Sequence, residues 1–309
     1  MLVGDVPRQD LVRRLRRDGV HLNTGAFTTQ LRITFSRLAA EFADVYARYP
    51  LEEPPGIDDA RVRVALEAGP LRLGRRMAVA TTETRTMEPV PIERAFTAME
   101  TALNWSAASS EVAPLIVHSA VLERDGRALI MPAASGSGKS TLAAALAWRG
   151  WRLLSDEIAV FSFDDASLLP NPRPVSLKNR AVDVIAAFEP RARFSQLFRG
   201  TLKGDVAYMH PPPEAIARAQ ESALPGLVVA PLYAEGAATT LKQLDRVAGF
   251  RTLVDSSINY ASMLRTGFEM LTSVVERCGL YALTYSNLAS AIDAIDRLHA
   301  EARDLRGAV

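Results

Sequence analysis

Six consecutive residues, Ser135 to Ser140 (SGSGKS), are of the types that cradle a phosphate. Gly136 and Gly138 let backbone N–H groups turn toward an anion with no Cβ in the way. Lys139 can reach β- and γ-phosphate oxygens, and the Ser140 hydroxyl suits Mg²⁺. Ser135, Ser137 and Thr141 complete the expected nucleotide contacts. Against the pattern G-x-x-x-x-G-K-[ST], Ala133 stands where the first glycine belongs. Asp156 and Glu157 follow seventeen and eighteen residues after Lys139. Carboxylates at that distance can ligate Mg²⁺ or take a proton from an attacking hydroxyl. Upstream lies His118; a lone histidine is more often a packed core residue than a catalyst. The chemistry open to this set is phosphoryl transfer from a nucleoside triphosphate to water, a metabolite or a hydroxyl on another protein.

Further cations could join it. Of 36 basic residues only four are lysines, Lys139, Lys178, Lys203 and Lys242. A lysine that survives so strong a preference for arginine is a candidate for a chemical role. Arg173 and Lys178, in NPRPVSLKN, read either as a second phosphate clamp or as a proline-stiffened surface loop. Lys203 precedes Gly204 in TLKGDVAYMHPP, where backbone could approach a ligand closely.

The elements around the loop have the context a phosphate site needs. LIVHSAVLERDGRALIMP predicts two strands joined at Asp125-Gly126, with His118 on the first and the second running into SGSGKS. A helix is expected from Lys139 to Arg149, ended by Gly150, followed by a strand through WRLLSDE. Further on, GLVVAPLY and YALTYS read as strands, and Asn287 as the cap of a final helix.

The first third predicts a smaller α+β unit. Its elements are a basic helix from Asp10 to Asp18 closed by Gly19, strands at 27–35, 61–66 and 71–81, a helix capped by Ser36, and a helix begun at Pro91. The small, polar SAASSEVAP, 106–114, marks the expected boundary between an N-terminal domain, 1–105, and a second domain, 106–309. The run RRLRR could attract an acidic peptide, but it also fits the wet face of an amphipathic helix.

Composition excludes several classes. A net charge of +1 makes no broad electrostatic case for nucleic acid or an anionic membrane. The apolar runs fall short of a membrane span, and the residues around Asp5, Arg8 and Asp10 form no apolar signal core. A single cysteine, Cys278, excludes an internal disulfide and fits a reducing cytoplasm. No N-K-x-D follows the loop, so a guanine-specific switch fits poorly.

The order of His118, hairpin, SGSGKS, helix and LLSDE resembles the HPr kinase/phosphorylase family. It is closer still to the HPr-kinase-related proteins of type A, whose pattern is matched by LNWSAA, HSAVLERDG, PRPVSLKN, TLKGDVAYMHPP and SINY. The resemblance implies an α/β fold, a phosphate-loop kinase domain of the HPr kinase/phosphoenolpyruvate carboxykinase type, in which a seryl hydroxyl attacks ATP. It implies Asp156 as the base or its partner, Glu157 as the metal side of the pair, and His118 as the group orienting the acid. Glu157 departs from the family's two aspartates, and Ala133 is a second departure. The glycine-rich signature that engages HPr is not found, so HPr is not the expected acceptor. The expected activity is an ATP- and Mg²⁺-dependent serine kinase acting on a peptide or small protein, such as a precursor peptide, and the family's hexamers leave a homo-oligomer open. The rival readings are a small-molecule hydroxyl kinase of the same fold and a nucleotide-binding regulatory module without turnover.

Overall fold

In the computed structural model, residues 1–54, 56, 58–68, 76–109 and 114–307 are described. The chain is mixed α/β with several sheets. Its first part builds α1 (Arg8–Arg17), β1 (Val20–Asn23), β2 (Thr28–Ile33), α2 (Ser36–Val45), β3 (Ala60–Ala68), β4 (Arg76–Thr81), β5 (Val90–Pro91) and α3 (Ala95–Ala108). The strands form one sheet in the order β1-β2-β3-β4-β5. Leu11 and Leu15 turn α1 inward while Arg13, Arg16 and Arg17 stay exposed, so the basic run is mainly a solvated face. Ser36 does not cap α2: buried Phe35 takes the cap position in extended conformation, and packing that ring decides where the helix begins. The strand expected at 71–81 is present from Arg76, its earlier residues lying outside those described.

The second part begins with β6 (Leu115–Val117), β7 (Ser119–Arg124), β8 (Arg127–Pro132), α4 (Lys139–Ala147), β9 (Arg152–Ser155), β10 (Ala159–Phe161) and β11 (Leu168–Leu169). It continues with β12 (Val175–Lys178), α5 (Arg180–Phe188), β13 (Phe198–Thr201), β14 (Gly204–Met209) and α6 (Pro213–Ala217). It closes with β15 (Leu224–Tyr233), β16 (Thr240–Gln243), α7 (Arg246–Asp255), α8 (Tyr260–Arg277), β17 (Gly279–Tyr285) and α9 (Leu288–Gly307). The largest sheet has six strands in the order β16-β17-β15-β8-β7-β9. It is covered on both faces, which is why its strands read as continuous apolar runs. Ala120, Leu122, Leu129 and Met131 pack with α4 and α9, while Val121, Ala128 and Ile130 pack with α7 and α8. Asp125 and Gly126 both take positive φ, 53° and 71°, and turn β7 into β8 as expected. Asn287 Oδ1 accepts the Ser290 N–H at 3.1 Å and caps the last helix.

One expectation needs correction. The strand carrying His118 is broken there: β6 pairs with β10 in a three-stranded sheet, while β7 pairs with β8 and β9 in the large one. His118 sits at the crossing, its N–H donated to the Ser256 carbonyl at 2.8 Å. Strand β9 lies beyond β7 at the edge of the large sheet.

The two parts share a core. Phe198, Val206 and Tyr208 from β13 and β14 belong to the N-terminal cluster, with Phe198 stacked on Phe96 at 5.5 Å. Helix α3 runs to Ala108, so the expected boundary starts inside a helix, and 110–113 lie outside the described residues. A buried ion pair reinforces the junction. Glu100 Oε2 accepts from Arg173 at 2.6 Å, Glu100 Oε1 accepts from Tyr46 at 2.5 Å, and the Tyr49 hydroxyl donates to the Pro172 carbonyl at 2.6 Å. Replacing Arg173 by Met strands a buried carboxylate, and we expect a loss of about 3–5 kcal/mol in urea unfolding. Adding Glu100→Gln should recover part of that loss. A single variant as stable as the parent would show that the pair does not join the layers.

Candidate functional site

Strand β8 delivers the chain into the SGSGKS turn, and α4 starts at Lys139 with Gly138 as its N-cap. Gly136 and Gly138 hold φ of 91° and 86°. At Gly138 a Cβ would also collide with the Tyr285 hydroxyl and with Tyr233 Cβ, so only glycine fits. Ala133 is not among the positive-φ residues, which explains how alanine stands where the pattern has glycine. The first-turn amides of α4 have no intrahelical acceptor and point, with the helix's positive end, at the space above the loop.

That space is a cavity of about 540 Å³. Ser135, Gly136, Ser137, Gly138, Lys139, Ser140 and Thr141 line it, and so do His118, Glu157, Lys178 and Lys203. The structure therefore brings together three of the chain's four lysines, and Lys178 Nζ reaches Ser135 Oγ at 3.4 Å. Register explains the other two: Lys178 ends β12, which pairs with β14, and Lys203 lies at the β13–β14 turn. Gly204, φ 88°, lies so close to the Asn179 side chain that a Cβ there would strike it, which holds the turn against β12. Arg173 is not part of this set. It lies buried on Glu100 and is no phosphate clamp, and the alternative of a surface loop fails as well, the segment being interior from Asn171 to Leu177.

Around the acids the geometry is tight. His118 Nε2 lies 3.0 Å from Lys139 Nζ and 3.3 Å from Glu157 Oε2. One ring nitrogen cannot both accept from an ammonium and donate to a carboxylate, so only one contact is a hydrogen bond at a time. An anion that drew Lys139 away would leave His118 free to carry a proton on Nε2 and donate it to Glu157. Burial by itself would raise Glu157, but the His118 hydrogen bond and the Lys139 and Lys203 charges outweigh it, holding this acid below its usual range. Burial raises Asp156 above its usual range, and the neighbouring Glu157 charge adds to the push. Asp156 is 3% exposed, and neither of its oxygens has a hydrogen-bond partner, the Ser140 hydroxyl facing it outside bonding geometry. Burial also lowers Lys139, against the two acids that raise it.

A second cavity, of about 410 Å³, adjoins the first. Asp156 and Arg173 line it together with residues 85–104 of the N-terminal layer. Glu157, Ser176 and Lys203 line both cavities and form the seam between them. Sequence reasoning missed this second wall, which comes from positions far apart in the chain. It also missed Tyr233 and Tyr285, which end parallel strands β15 and β17 beside the loop with rings 5.7 Å apart at 76°. The signal was present, because ligands sit beyond the C-terminal ends of such strands.

Magnesium suits the donors present. Among the described residues no three His, Cys, Asp or Glu side chains form a metal cage. Magnesium needs no such cage, being held by one or two carboxylates with phosphate oxygens and water. Ser140, Asp156 and Glu157 are the groups that would hold it.

No family model matches this sequence, and no curated protein matches it. Among the described residues no helix is long and apolar enough to cross a membrane.

The upward shift of the Asp156 pKa, caused by burial, has a stability consequence. A group raised on folding stabilises fully below its unfolded value and loses that contribution as pH climbs through the folded one. In chelator and without nucleotide, Asp156→Asn should melt roughly 2–4 °C above the parent at about pH 8, with a smaller gain at about pH 5, between the unfolded and folded values. A variant that melts lower at pH 8 would mean that the carboxylate is held by contacts this geometry lacks.

Proposed function

We propose that the protein is an ATP- and Mg²⁺-dependent kinase that phosphorylates a seryl hydroxyl of a peptide or small protein. The observation that carries this reading is the seam: an anion cavity and a second cavity meet at Glu157, Ser176 and Lys203, with Asp156 on the acceptor side. In this reading residues 106–309 form a phosphate-loop kinase domain of the HPr kinase type. The strand-loop-helix run into α4, the hairpin before it and the acids after β9 support that assignment.

The loop amides and Lys139 bind the β- and γ-phosphates, and Lys178 and Lys203 neutralise charge on the outer side. Tyr233 and Tyr285 offer ring surface to the rest of the nucleotide. Ser140, Asp156 and Glu157 would hold magnesium, which would neutralise charge on the triphosphate. Asp156 accepts the proton of the acceptor hydroxyl as its oxygen bonds to the γ-phosphorus. The bond from that phosphorus to the β–γ bridging oxygen breaks, and ADP leaves with the electron pair. Glu157 keeps its charge on the phosphate side, oriented by His118.

Retention of Asp156 weighs against a regulatory module. An unpartnered buried carboxylate costs about 1–3 kcal/mol or more, and binding alone does not require a base. A small-molecule kinase would need no wall built from residues 85–104.

Lys139→Ala should lose ATP affinity by about 100-fold in calorimetry with an unchanged melting curve, the scale of two charge-assisted contacts in a dry site. Asp156→Asn should keep its nucleotide and lose phosphate transfer by at least about 100-fold, with His118→Ala less affected. Unchanged affinity in a folded Lys139→Ala protein would remove the nucleotide site. Normal transfer by Asp156→Asn would place the base elsewhere.

A further inference from the structure

We propose that the second cavity receives an acidic stretch of polypeptide, with the target serine at the Asp156 end and flanking carboxylates on the N-terminal layer. This rests on the kinase reading and names the substrate class of the same site. Three features of the cavity carry it.

The first is unpaired positive charge. Arg85 and Arg94 line the cavity without an ion pair among the described residues, and Lys203, whose charge already acts on Glu157, stands beside them. Arg85 lies over the Trp105 ring at 4.6 Å, and Arg94 Nε donates to the Arg199 carbonyl at 3.1 Å. Glu88 is the lining carboxylate that opposes them, because Glu100 is engaged by Arg173 and the two remaining acids face the seam. Cations arranged in a cleft without partners favour an anionic ligand and repel a basic one.

The second is a set of buried polar atoms with no partner. Asp156 Oδ1 and Oδ2, Asn171 Oδ1 and Arg173 Nε are all unsatisfied, and all three residues line this cavity. Three such side chains around one cavity are unusual, because native interiors pair nearly all their polar groups. Two are acceptors and one is a donor. A serine in peptide linkage carries the complementary set: a hydroxyl and an amide N–H to donate, and a carbonyl to accept.

The third is the lip. Leu202, at the tip of the β13–β14 turn, is 97% exposed beside Lys203, and Met87 and Val90 lie on the facing wall. An apolar tip over a charged rim suits an extended chain better than a small polar metabolite.

The test uses the full-length protein and two short labelled peptides, each with one serine, flanked by aspartate and glutamate in one and by lysine in the other. Fluorescence anisotropy should show the acidic peptide binding at least about tenfold tighter, the scale of one charge-assisted contact. Arg85→Glu should abolish that preference while leaving MgATP affinity unchanged, and Arg94→Gln should weaken it. Equal binding of the two peptides, or a preference that survives Arg85→Glu, overturns the proposal. Acidic peptide that binds with this preference but is not phosphorylated supports the docking inference and removes the kinase reading. Phosphorylation indifferent to flanking charge does the reverse. Turnover of free serine with both peptides inert overturns the inference in favour of a small acceptor.

Discussion

A carboxylate buried without a hydrogen-bond partner is the constraint on which the site depends. Asp156 could have been exposed at the end of β9, where bends usually meet water. It is buried instead, beside a cavity walled by the N-terminal layer and the β12–β14 sheet, and burial raises its affinity for protons. Burial likewise puts Lys139 in a dry setting where its charge acts at greater strength. Desolvation thus costs stability and supplies a base poised nearer neutrality than an ordinary aspartate.

The cavity wall depends on the Glu100–Arg173 pair. Two charges buried this deeply repay their desolvation only when their remaining polar atoms are satisfied as well. Tyr46 supplies part of that satisfaction, and Arg173 also donates to the Glu100 carbonyl at 3.1 Å. Because Arg173 lies two residues ahead of β12, the pair sets where β12 runs and so where Lys178 ends. The N-terminal layer is in this sense part of the candidate site's architecture rather than an appendage to it.

Local chemistry made some of this legible in the sequence. The glycines and Lys139 of SGSGKS, the Asp125-Gly126 turn and the scarcity of lysine each pointed to a feature visible within a few residues, and Lys139, Lys178 and Lys203 do converge on one cavity. What escaped was set by pairing across long separations. His118 looked like a strand residue because apolar neighbours flank it, yet β6 and β7 enter different sheets. Arg173 looked like a phosphate ligand because prolines and a lysine surround it. Its partner lies 73 positions away on a helix whose pattern shows only a buried face. The wall of the second cavity draws on 85–104 and 201–208, and no period or motif links those stretches.

The central claim is that phosphate and acceptor meet at the seam formed by Glu157, Ser176 and Lys203. A crystal structure of the full chain with magnesium and a non-hydrolysable ATP analogue tests this most directly. The account predicts the triphosphate on the SGSGKS turn, Lys139 withdrawn from His118 onto the phosphates, and the γ-phosphate at the seam facing Asp156. A nucleotide bound elsewhere, or one whose terminal phosphate points away from the second cavity, would contradict it.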